Sequence, residues 1–203
     1  MPALENLFLV STKQAIAAPY VSGKLADAGA RVIKIERAKG DFARDYDQLV
    51  HGDSGYFVWL NRGKESVCLD LKARTDKAIF SETLSTADVF IQNLAPGAVD
   101  RLGFAPNWLR AEHTALITIS ISGYGDERTY ADRKAYDLLI QTKSGLSAIT
   151  GNDAVTARVG VSVCDIACGV TAYQAACKAM IPRQKQALVG IWMLVYFTRS
   201  PTG

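Results

Sequence analysis

A chain of 203 residues, 49% hydrophobic and 21% charged, is long enough for one sizeable core and has globular composition, not that of a fibre or a disordered segment. Its 23 Lys and Arg stand against 20 Asp and Glu, a net charge of +3. The basic residues are dispersed, which excludes the clustered charge of a nucleic-acid binder and leaves room for local anion sites.

From the N-terminus, the apolar run LFLV at 7–10, an amphipathic stretch at 16–28 and RVIKI at 31–35 predict one β-α-β unit. A second is predicted by SVCLDL at 66–71, a polar-faced helix over 75–85 with Ala78, Ile79 and Leu84 inward, and DVFIQN at 88–93. ALITISISGYG at 115–125 reads as a further strand, bracketed by the turn-prone segments LAPGAVDRLGF and GYGDERTYADRK. Helices are expected over 136–149 and 169–183, joined by GNDAVTARVG. Strands alternating with helices predict an α/β fold with a doubly wound, Rossmann-like parallel sheet.

The apolar run IWMLVYF at 191–197 is far short of the roughly 20 residues of a bilayer span, so no membrane partner is expected. Cys68, Cys164, Cys168 and Cys177 follow no basic-then-apolar leader, which predicts free thiols in a reducing cytoplasm. Cys164 and Cys168 share a helix face but lack a second ligand pair, so no metal is assigned.

In an open α/β sheet, ligands bind beyond the carboxyl ends of the strands. Arg37, Lys72, Asn93 and Lys134 each follow a predicted strand, and a rim of cations and an amide suits a phosphorylated ligand. Neither GxGxxG nor GxxxxGK[ST] is present, which argues against an ordinary dinucleotide or P-loop site.

The segments LADAGARVIKIE, NRGKESVCLDLK, ADVFIQNLAPGAVDRLGF, SISGYG, KAYDLLIQTKSGL and RVGVSVCDIACGVTAYQA occur in this order between residues 4 and 185. Together they resemble the N-terminal half of a class III CoA-transferase. This is the CaiB/BaiF family, which also contains formyl-CoA and carnitine CoA-transferases and α-methylacyl-CoA racemases. KAYDLLIQ followed by RVGVSVCDIA is most similar to the itaconate-, mesaconate- and succinyl-CoA-type transferases. The resemblance implies that residues 1–185 are an incomplete large domain. It also implies transfer of coenzyme A between an acyl-CoA and a small carboxylic acid, with CoA as substrate and no tightly bound cofactor.

The resemblance places the nucleophile on Asp165, which would form an aspartyl-CoA thioester by way of a mixed anhydride. Read from its neighbours alone, Asp165 lies between apolar runs and also suits the N-cap of a helix beginning near Gly169, whose N-terminus would keep it ionised. For CoA, the resemblance carries over onto Arg37 and Arg101 at the phosphates, Leu69 and Lys72 around the adenine, and Asn93, Leu94 and Ala95. Ala17, Lys134 and Tyr136 match further CoA contacts. Ile16 stands where relatives have a polar side chain. Tyr136 stands where the racemase branch has His, which favours transfer over racemisation.

Family members are much longer, with a glycine-rich loop in the second half and interlocked dimers, so a ring-like dimer of this chain alone is not expected. A non-catalytic CoA-binding remnant is the alternative. From Gln186 the pattern breaks, and residues 186–203 are expected to be a frame-shifted, non-native tail. Back-translated and read from the third base of each codon, this tail permits a family-like continuation. Trp192 and Met193 there yield an obligatory Asp.

Overall fold

A computed structural model describes residues 2–125 and 133–181; the tail from Gln186 lies outside the described residues. Five strands, β1 (Phe8–Thr12), β2 (Arg31–Glu36), β3 (Glu65–Cys68), β4 (Val89–Gln92) and β5 (Ile117–Ser120), form a parallel sheet in the order β3-β2-β1-β4-β5. The helices are α1 (Ala17–Asp27), α2 (Gly55–Asn61), α3 (Arg74–Thr86), α4 (Ala98–Arg101), α5 (Pro106–Glu112), α6 (Asp137–Lys143), α7 (Leu146–Thr150) and α8 (Val163–Met180).

The period of two along each strand divides the core into two layers. Leu9, Val32, Ile91, Ile117 and Ile119 meet Val21 and Leu25 of α1 and Ala172 and Ala176 of α8 on one face. Val10, Ile35 and Phe90 meet Phe80 and Leu84 of α3, with Phe104 and Leu109, on the other. β1 has β2 on one side and β4 on the other, so the chain reverses its winding there, and a crevice opens beyond the ends of these strands.

Several expected boundaries differ. α2, α4 and α5 occupy stretches that read as turns or went unassigned, because helices this short rest on local devices. Ser54 caps α2 by accepting from the Phe57 N–H at 3.3 Å, and α5 opens on Pro106. The helix expected over 136–149 is two helices, broken at Gly145, where φ is +80°. β3 ends at Cys68, short of the expected 71, since the chain turns at Asp70 to enter α3. On α3 the inward pair is Phe80 and Leu84, while Ile79 is 50% exposed and Ala78 also faces out. Phe80 wins that face by edge-to-face packing on Phe104, with ring centroids 4.8 Å apart. α8 begins at Val163, six residues before Gly169, so Asp165 lies inside its first turn and Ser162 is the N-cap residue.

Toward β3, the α1 face of the core turns polar. Lys34 of β2 pairs with Asp41 at 2.7 Å and with Glu36 at 3.4 Å, all three side chains being almost wholly buried. Burial opposes ionisation of Glu36, but Ser66, Lys34 and Arg44 together hold its carboxyl below the usual range. Lys13 reaches Ser22, and Lys64 donates to the Pro19 carbonyl at 2.9 Å. Desolvation, reinforced by Lys64 and Lys34, lowers the Lys13 ammonium well below its ordinary value, and burial brings Lys64 down to about 7.

The lowered ammonium of Lys13 therefore opposes folding increasingly as pH falls below its ordinary value, and most once pH lies below its folded value. Lys13→Met is expected to raise the urea midpoint, with a larger gain at pH 6 than at pH 9. An equal gain at both values would assign the effect to packing instead.

Candidate active site

The crevice is a cavity of about 890 Å³. Its walls are the loop after β1, the loop after β4, the turn into α6 and the first turn of α8. Of the residues singled out in the sequence, Ala17, Arg37, Asn93, Leu94, Ala95, Lys134, Tyr136 and Asp165 all line it. Leu69, Lys72 and Arg101 do not. Leu69 is buried in the α3 layer, Lys72 is exposed on the turn into α3, and Arg101 lies against the Pro96 carbonyl at 3.4 Å. Asn93 has a second task, since its amide accepts from the Gln14 N–H at 2.9 Å and donates to the Gln14 carbonyl at 2.8 Å.

Asp165 is brought to the cavity by the packing of α8 on α1. One turn beyond it, a Cβ on Gly169 would lie 2.9 Å from Tyr20 Cδ1 and 3.0 Å from the Ala17 carbonyl oxygen. Only glycine lets the two helices approach this closely. No described residue donates a hydrogen bond to the Asp165 carboxylate, and Asp137 lies beside it. Burial, with Asp137 second, raises the Asp165 carboxyl to about 7. The expectation that the helix N-terminus keeps it readily ionised is corrected by this. Asp137 Oδ1 occupies the N–H groups of Cys164 and Asp165, at 2.8 and 3.1 Å, so these donors are spent on another carboxylate.

Asp137 and Gln141 are the positions that reading from sequence passed over. Gln141 Nε2 donates to Asp137 Oδ2 at 2.5 Å, and its Oε1 accepts from the Val159 N–H at 2.8 Å. The pair thus ties α6 to the strand-like approach to α8. Their signal was an i, i+4 polar pair on one face of a short helix. Cys164 and Cys168 also line the cavity, and burial together with the nearby carboxylates raises their thiols to about 11 and about 12. They remain protonated and poorly nucleophilic. Arg133, Lys143 and Arg158 add cationic groups to the lining. Among the described residues no cluster of three or more His, Cys, Asp or Glu is placed to hold a metal.

A carboxylate freed of hydrogen-bond donors, in a cavity rimmed by cations, can attack an electrophilic carbonyl held there. Comparison with known proteins agrees with that chemistry. The sequence model of CoA-transferase family III matches residues 4–188. The acetyl-CoA:oxalate CoA-transferase of Acetobacter aceti is 38% identical over 184 residues, covering 89% of this chain and 47% of that protein. The succinyl-CoA:mesaconate CoA-transferase of Haloarcula hispanica is 36% identical over 178 residues, covering 82% of this chain and 44% of that protein. The chain thus spans less than half the length of these relatives. A CAIB/BAIF family protein from Brucella suis superposes with a TM-score of 0.88 at 32% identity, covering 95% of this chain and 53% of that one. With the match running over nearly all of the chain, this protein belongs to CoA-transferase family III.

Proposed function

We propose that the cavity binds an acyl-CoA and that Asp165 carries coenzyme A between the acyl donor and a carboxylic acid. The observation that carries this reading is the Asp165 carboxylate itself, which lines the cavity with no hydrogen-bond donor among the described residues and a raised pKa. Its oxygen adds to the thioester carbonyl, the C–S bond breaks, and CoA leaves as thiolate. The thiolate attacks the aspartyl carbonyl of the mixed anhydride, releasing the donor acid and leaving an aspartyl-CoA thioester. The acceptor carboxylate then displaces thiolate from that thioester, and the thiolate takes the acceptor's acyl carbon, restoring Asp165. Trapping tests this directly. After incubation with an acyl-CoA, hydroxylamine should mark Asp165 as its hydroxamate, detected by peptide mass spectrometry. Absence of the mark at saturating acyl-CoA would count against the reading.

The acid exchanged is proposed to be a dicarboxylate. The relatives above are named for oxalate and for succinyl-CoA and mesaconate, and Arg133, Lys143 and Arg158 line the same cavity as Asp165. Succinate should therefore resolve the aspartyl intermediate much faster than butyrate does.

Arg37, exposed immediately after β2 and on the cavity wall, suits a CoA phosphate. Arg37→Ala is expected to weaken CoA by roughly 1–3 kcal/mol if it makes charge-assisted hydrogen bonds. Dephospho-CoA should show little further loss in that variant if Arg37 holds the 3′-phosphate. Arg101→Ala, outside the cavity, is the comparison: a loss as large as that of Arg37→Ala would extend the site beyond the described cavity.

A further inference from the structure

The loop after β1 holds the one feature of the cavity wall that its own residues disfavour. Ala15 sits at φ +62°, in the left-handed region that any side chain with a Cβ avoids. A non-glycine residue keeps such a conformation only where its surroundings impose it. Here they do so from both sides. Asn93, from the loop after β4, grips both backbone polar groups of Gln14. From the loop after β2, Asp41 Oδ1 accepts from the Ala15 N–H at 3.2 Å.

Asp41 is itself held rigidly. Its Oδ2 accepts from Lys34 Nζ at 2.7 Å, and its own N–H donates to Glu36 Oε1 at 3.1 Å. The Asp41 and Lys34 side chains are 0% and 1% exposed. The same Oδ1 caps the short 3-10 turn at Phe42–Asp45 through the Ala43 N–H at 3.0 Å. A capping role needs neither Lys34 nor Ala15. The ion pair costs desolvation of two charges, and what it holds in place is the oxygen that meets the strained residue.

We propose that Asp41, fixed by Lys34, is a positioning residue for the active site: it imposes the left-handed backbone of Ala15 and so sets the wall that Gln14, Ala15, Ile16 and Ala17 present to the ligand. The ligand named rests on the acyl-CoA reading above; the clamp does not. Asp41 touches no reacting group and acts through the Ala15 backbone.

That route makes a specific prediction of coupling. Asp41→Ser keeps a side-chain cap for Ala43 but cannot bridge Lys34 and Ala15. In the 203-residue chain it is expected to weaken CoA binding, measured by calorimetry, by about tenfold. In the Ala15→Gly background, where the left-handed backbone is freely adopted, the same change should cost only about twofold. Equal losses in both backgrounds would mean that Asp41 acts through general stability, and would overturn the proposal. Asp41→Asn, which keeps an oxygen acceptor for Ala15 but puts an amide N–H group where Oδ2 accepted from Lys34, should fall between wild type and Asp41→Ser, and it replaces Asp41→Ser in the cycle if that variant does not fold.

Amide hydrogen exchange separates this proposal from the ligand reading. Asp41→Ser should speed exchange across residues 14–17 by at least about tenfold while the later turns of α1 stay protected. If the wild-type chain binds no CoA, the acyl-CoA reading is what fails and the exchange experiment alone decides the clamp. Unchanged exchange at residues 14–17 overturns the clamp whatever the cavity binds.

Discussion

On the proposed reading, Asp165→Ala is expected to abolish both the hydroxylamine-trappable intermediate and CoA transfer, while leaving CoA affinity within about twofold, because the interaction lost would belong to the reaction and not to ground-state binding. Asp165→Glu is the stricter probe. The added methylene moves the carboxylate by about 1 Å, enough to cost on the order of 100-fold when a reacting group must be placed well. The helix that carries Asp165 is fixed in place. α8 rests on α1 at Gly169, and Asp137 already occupies the backbone donors at the head of the helix. Steady-state transfer assays with calorimetric CoA binding check both variants, and full activity in either would remove Asp165 from the mechanism.

The strands were legible because each carries its own signal. RVIKIE and DVFIQ are short, largely apolar runs suited to burial in a parallel sheet, and they appear as β2 and β4. Of the rim read from strand ends, Arg37, Asn93 and Lys134 meet in one crevice and Lys72 does not, and only the resemblance pointed to Asp165. What stayed hidden depends on contacts between distant segments. Asp137 reads as an unremarkable first-turn acid of α6, yet it caps α8 from 28 positions away. Ala15 shows no sequence mark of a left-handed backbone, which glycine would have announced. Lys13 and Lys34 carry no mark of burial in the sequence, yet the fold buries both. Leu69, placed around the adenine by the resemblance, belongs to the buried layer that holds Ile35 and Phe80.

Asp137→Asn is expected to move the pH dependence of the first chemical step to lower pH. Only the ionised Asp165 carboxylate is a nucleophile, so the step should rise with pH through about 7 and level off above it. Burial is the larger cause of the raised value and the Asp137 charge the second, so the amide should shift the midpoint down without returning it to an ordinary carboxylate value. The Asn oxygen can still accept from the Cys164 and Asp165 N–H groups, which keeps the cap of α8, while the bond that Gln141 Nε2 donates to Oδ2 is lost along with the charge. At pH 6 the variant should run several-fold closer to its own plateau than wild type does. Linkage gives the same group a signature in stability. The folded value lies above the ordinary 3.8, so the contribution of Asp165 is intact below that value and is lost as pH rises to about 7, a swing of at most on the order of 4 kcal/mol. Asp165→Asn should accordingly raise the urea midpoint over wild type more at pH 8 than at pH 5, and Asp137→Asn should narrow that difference. A midpoint for the chemical step that does not move in Asp137→Asn, with a stability difference that does not narrow, would show that burial alone sets the Asp165 ionisation and that Asp137 serves only as the cap of α8.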